Sequence, residues 1–119
     1  MPKYLSLESY LDVLSEDALN MYQAFVKLMS YIDKNIKHRL FAGQIAFYKE
    51  ETLRRTFHSS PVIVMSFLKD HVNIFASANE TFKSQLSKYR FTKKNTMQIQ
   101  YTDVLDAEKL TLLFRESLE

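Results

Sequence analysis

The clearest pattern of apolar and polar positions lies between Pro61 and Ala76. Residues 62–65, with Phe67 and Leu68 after Ser66, are apolar almost throughout, which predicts a strand inside a sheet rather than at its edge. Past Lys69 and Asp70 the pattern alternates: Val72, Ile74 and Ala76 share one face, Asn73 and Phe75 the other. Two strands joined by a tight turn are expected here.

Towards the N-terminus the period changes to that of a helix. Ser6 is placed to cap a short helix over residues 7–14, and Ser15 to cap a second one, with Glu16 and Asp17 suited to its positive end. Ala18, Tyr22, Phe25, Met29, Ile32 and Ile36 then recur at steps of four and three, one face of a helix ending near Asn35. Coiled coils share this spacing, but fewer than three heptads are covered, so the stripe reads as core. The helical pattern is lost from His38 to Gly43. Residues 44–49 alternate, Ile45 and Phe47 opposing Ala46 and Tyr48, and predict a half-buried strand. Residues 50–60 are polar and read as a loop or ragged edge, with Glu50, Glu51, Arg54 and Arg55 discouraging strand-to-strand association.

After the central strands, Ser77 or Asn79 can cap a helix whose inner stripe is Phe82, Leu86 and Tyr89. Residues 96–101 alternate as a further strand, and Asp106 caps a last helix with Leu110, Leu113, Phe114 and Leu118 inward. The expected fold class is α+β: a small, mostly antiparallel sheet packed against N- and C-terminal helices.

Composition narrows this picture. A chain of 119 residues suits one domain spanning residues 1–119, and nine Phe and seven Tyr supply its core. With no cysteine, a disulfide scaffold, a thiolate zinc site and a cysteine nucleophile are excluded. No stretch has the order of a signal peptide, and the longest apolar run is too short to span a bilayer, so a cytoplasmic protein is expected. A net charge of +2 is well short of the excess of a dedicated nucleic-acid binder.

No glycine-rich phosphate loop, His-Glu-x-x-His pair or nucleophile elbow is present, and no enzymatic activity is expected. Gly43 reads as a backbone kink or a position of positive φ entering a strand. His38, His58 and His71 lack metal-ligand spacing, and His71 reads as lying in or beside the hairpin turn, with Lys69 and Asp70. Two charged sets remain. Glu8 and Asp12 share a helix face and, with Glu16 and Asp17, either complement helix termini or offer an oxygen-rich surface for hard cations and ferrous iron. Lys83, Lys88, Arg90, Lys93 and Lys94 occur with no acid between Thr81 and Thr102, and Tyr89 and Phe91 are interleaved. Lys88, Arg90, Lys93 and Lys94 read either as a solvated surface or as a site for a protein or anionic ligand.

Leu40, Gly43, Ala46 and Phe47 resemble the strand-entry motif of the YdhG-like family of small bacterial proteins, often described as frataxin-like, with Ile45 where the family usually has proline. The resemblance continues through Phe67, Lys69, His71, Val72 and Ile74, then Phe82, Leu86 and Tyr89, Lys93 or Lys94, Ile99 and the closing helix of residues 110–118. Tyr10 and Leu11 fit near the start. It implies an α+β sandwich and a role in carrying Fe²⁺ to a protein partner in iron–sulfur or haem assembly. No acidic position matches a family motif, so the set Glu8, Asp12, Glu16 and Asp17 comes from spacing alone. Monomer and dimer are both left open.

Overall fold

The computed structural model describes residues 6–56 and 59–119. Its helices begin where side chains occupy otherwise orphaned amides. Ser6 Oγ accepts from the Ser9 amide while Ser9 Oγ accepts from the Ser6 amide, a capping box that opens α1 (Leu7–Asp12). Ser15 accepts from the Ala18 amide at 3.1 Å and opens α2 (Glu16–Ile32), whose buried face is Ala18, Met21, Tyr22, Phe25 and Met29. The helix ends at Ile32 rather than near Asn35, because Asp33 turns extended and its carboxylate accepts the Asn35 amide at 2.9 Å.

Ile36, expected on the helical stripe, instead opens strand β1 (Ile36–Phe41), so the stretch expected to be irregular from His38 is largely strand. Ala42 and Gly43 both have positive φ and form a two-residue turn into β2 (Gln44–Lys49), with Phe41 opposite Gln44. A short 3₁₀ turn at Glu50–Thr52 follows. The central hairpin is β3 (Ile63–Phe67) and β4 (His71–Phe75). After it come β5 (Arg90–Phe91) and β6 (Met97–Gln100). The sheet order is β1-β2-β3-β4-β6-β5, every pairing antiparallel. The α+β class and the interior position of β3 are as expected.

Between β4 and β5 the expected helix is a single turn, α3 (Asn79–Phe82). Neither Ser77 nor Asn79 caps it: Ala78 holds that position without a side-chain bond. Asn79 is buried and donates from Nδ2 to the carbonyls of Ile74 and Asn95 at 2.9 and 2.8 Å. Consecutive turns, with the Leu86 amide on Phe82 and the Tyr89 amide on Leu86, carry the chain onward and still bury Leu86 and Tyr89. Asp106 caps α4 (Ala107–Ser117) by accepting from the Lys109 amide.

Register sorts the sheet into two faces. Ile45, Met65, Ile74 and Met97 lie side by side across β2, β3, β4 and β6, as do Phe67, Val72 and Ile99 across β3, β4 and β6. These residues form one cluster with Phe25 and Met29 of α2 and Leu110, Leu113 and Phe114 of α4. Phe25 and Phe114 meet edge to face at 5.9 Å, each burial worth about 2–3 kcal/mol. Tyr10 of α1 reaches the sheet, its hydroxyl accepting from the Phe67 amide beyond the last β2–β3 pair. The opposite face is polar over β4, β6 and β5, where Asn73, Gln98 and Arg90 align. Among the described residues no helix is long and apolar enough to cross a membrane.

Candidate functional site

The acidic set stays on the surface. Glu8, Asp12, Glu16 and Asp17 are all exposed, and the last two occupy the first turn of α2. Among the described residues no three or more His, Asp or Glu side chains are grouped to hold a metal ion. His38 faces the helix side of the sheet, its Nε2 2.7 Å from the Tyr22 hydroxyl and its ring 5.1 Å from that of Phe47. Burial pushes His38 below its ordinary pKa, as expected of a histidine built into packing. His58 lies outside the described residues.

The basic set divides. Lys93 and Lys94 occupy the exposed turn between β5 and β6, closed by the Asn95 amide on the Thr92 carbonyl at 2.9 Å. Lys88 and Arg90 line a cavity of about 360 Å³ on the polar face of the sheet. Strand geometry builds it: Gln98 and Gln100 of β6 project to the same side. Arg90 lies opposite Gln98 across one ladder, and His71 lies opposite Gln100 across the other. Asp70 and Asp103 complete the wall.

Several contacts fix these side chains. Gln98 Nε2 donates to Asn73 Oδ1 at 3.0 Å. The Lys88 ammonium stands 5.2 Å from the centre of the Tyr89 ring, a cation–π contact. His71 Nδ1 is 2.7 Å from Asp70 Oδ1, and this hydrogen bond holds the Asp70 carboxyl below its ordinary value. An ionised carboxylate only accepts, so Nδ1 carries the proton; Nε2 is then an acceptor in the neutral ring and a donor only in the imidazolium. Asp103 Oδ2 accepts from the Gln100 amide at 2.9 Å. Both carboxylates thus have partners within the wall. Lys88 and Arg90 have no ion-pair partner among the described residues. The cavity therefore presents an ammonium and a guanidinium beside carboxamides and two carboxylates, and the two cations are its donors for a negatively charged oxygen ligand.

Reading the sequence brought Lys88 and Arg90 forward but grouped them with Lys93 and Lys94, which do not line the cavity. Gln98, Gln100 and Asp103 carry no signal of their own in the sequence, and His71, expected in or beside the hairpin turn, opens β4 directly after it. The inward set Met97 and Ile99 already implies that Gln98 and Gln100 face the other way. What no local pattern shows is that β4 and β5 flank β6. Comparison with protein-family models, with curated proteins and with solved structures found no match.

Proposed function

We propose that this protein is a binding module that recognises an anionic ligand, one bearing phosphate or carboxylate oxygens, through Lys88 and Arg90, with His71 beside them adding a donor only as the imidazolium. The observation that carries the reading is the convergence of two cations without ion-pair partners and a histidine, from different strands and a turn, on one cavity. Charge-assisted hydrogen bonds from guanidinium and ammonium groups are the strong ones, and bidentate geometry favours arginine. The alternative, delivery of Fe²⁺ to a protein partner, follows from the resemblance to YdhG-like and frataxin-like proteins. In this chain it would rest on the exposed carboxylates of Glu8, Asp12, Glu16 and Asp17 without a third neighbouring donor to close a site.

The test is a titration of ¹⁵N-labelled protein with inorganic phosphate at low ionic strength. Amides of residues 70–71, 88–90 and 98–100 are expected to shift together, with a dissociation constant of about 1 mM that rises with salt. Lys88→Glu combined with Arg90→Glu is expected to abolish the shifts, and Lys93→Glu combined with Lys94→Glu to leave them. Shifts spread over all basic positions, or none at all, would overturn the reading.

A further inference from the structure

A second opening, of about 680 Å³, lies between α2 and α4. On the α2 wall Ala24, Lys27, Leu28 and Tyr31 follow one another at i, i+3, i+4 and i+7; on the α4 wall Glu108, Thr111, Leu112 and Arg115 repeat that spacing. Each row is one helix face, set beside the stripe that packs on the sheet. The groove leaves apolar surface in water: Tyr31 is 82% and Leu112 45% exposed. Glu108 and Arg115, two turns apart on α4, have no ion-pair partner among the described residues.

We infer that a second copy of this chain covers the groove, the two α4 helices packing antiparallel about a two-fold axis that passes between Thr111 and Leu112. The inference does not rest on the anion-binding reading. A two-fold interface is self-complementary, each residue meeting the partner of its own partner. An antiparallel pair centred there sets Glu108 against Arg115 of the second copy, and Arg115 against its Glu108. Thr111 and Leu112 cross at the axis, so Leu112 of each copy enters the other's groove. Opposed helix directions also bring the acid at the start of one α4 to the end of the other, where the cation sits. An unrelated partner would have to supply matching charges in the right order; this helix already carries them. The ten residues that line the groove are fewer than the roughly 20–30 a standard interface uses on each side, so a weak, reversible dimer is expected.

Sedimentation velocity on the full chain, from about 5 to 500 µM, tests this. The weight-average mass is expected to rise from 14.1 kDa towards twice that value. Glu108→Arg or Arg115→Glu alone replaces two attractive pairs by two repulsive ones and is expected to weaken association by roughly tenfold. The double exchange, Glu108→Arg with Arg115→Glu, is expected to restore wild-type association, which a merely structural role for either residue would not produce. Glu108 and Arg115 are exposed, so circular dichroism is expected to show the fold intact in each variant. A chain that stays monomeric throughout assigns the groove to a different class of partner and overturns the inference, as does a dimer that neither reversal moves.

Discussion

At Ala42 the backbone adopts φ of 52°, followed by 77° at Gly43, the two positive values that a two-residue hairpin turn requires. Glycine takes this conformation readily, whereas an L-residue there sets Cβ against the next carbonyl at a cost of about 1–2 kcal/mol. Gly43 was legible in the sequence as a positive-φ position, because glycine announces such sites. Ala42 was not, since alanine carries no such mark. Exchanging Ala42→Asn, which tolerates the conformation, is expected to stabilise the protein by roughly 0.5–1 kcal/mol. A Cβ at Gly43 would meet nothing within 4 Å, so Gly43→Ala isolates the backbone cost and is expected to lose about 1 kcal/mol. Urea denaturation of both variants checks the pair. Equal stabilities, or a gain at Gly43, would contradict this account of the turn.

At the level of elements, legibility followed how many faces each element buries. β4 and β6 bury one face and show it as alternation, and the three well-capped helices begin where Ser6, Ser15 and Asp106 predict. β2 alternates in type, yet Ala46 and Tyr48 on its second face are also buried, with Arg39 across from Ala46 lying over the Tyr48 ring. β1 escaped because Ile36 stands four residues after Ile32 and imitates the helix, while His38 occupies an inward slot where an apolar residue would have marked a strand. Residues 82–89 imitate a helix for a different reason: linked turns share its spacing. The elements are then fastened by tyrosine hydroxyls, which no periodicity reveals. Tyr89 donates to the Val104 carbonyl at 2.6 Å and accepts from the Asp106 amide at 2.8 Å, fixing the loop that sets the start of α4. Removing that oxygen in Tyr89→Phe leaves a part-buried carbonyl and amide without their partner, at a cost of about 1–3 kcal/mol. Hydrogen exchange should show the loss concentrated in the first turn of α4, and a uniform loss of protection would argue against a local clamp.

For the whole molecule, the sheet separates the work of its two faces. The helix-side face builds the core, and the polar face gathers Lys88, Arg90 and His71. Two of those three were legible as a basic segment; the rest depends on β6 lying between β4 and β5, a long-range fact of topology. The same division sets the response to pH. His38, on the helix side, has its pKa lowered from 6.5 by burial, so the unfolded chain takes up the proton first as pH falls. Its contribution to stability is complete above pH 6.5 and is lost as pH drops from there through the folded value. Tyr101 titrates in the opposite sense. Its hydroxyl donates to the Leu68 carbonyl at 2.6 Å, with the His71 carbonyl 2.9 Å away, and burial, the largest cause, pushes it from 10.0 up to about 12. The folded protein keeps that proton when the unfolded chain has lost it, so stability holds below pH 10 and declines as pH rises towards about 12. Burial raises Tyr22, hydrogen-bonded to His38, in the same direction. Urea midpoints measured from pH 5 to 12 should therefore form a plateau between pH 6.5 and 10 with a fall on each side. In His38→Gln the acid fall should flatten while the alkaline fall persists; Tyr101→Phe should keep the acid fall and reduce the alkaline one to the part that Tyr22 sets. An acid limb that survives unchanged in His38→Gln would show that His38 does not set it.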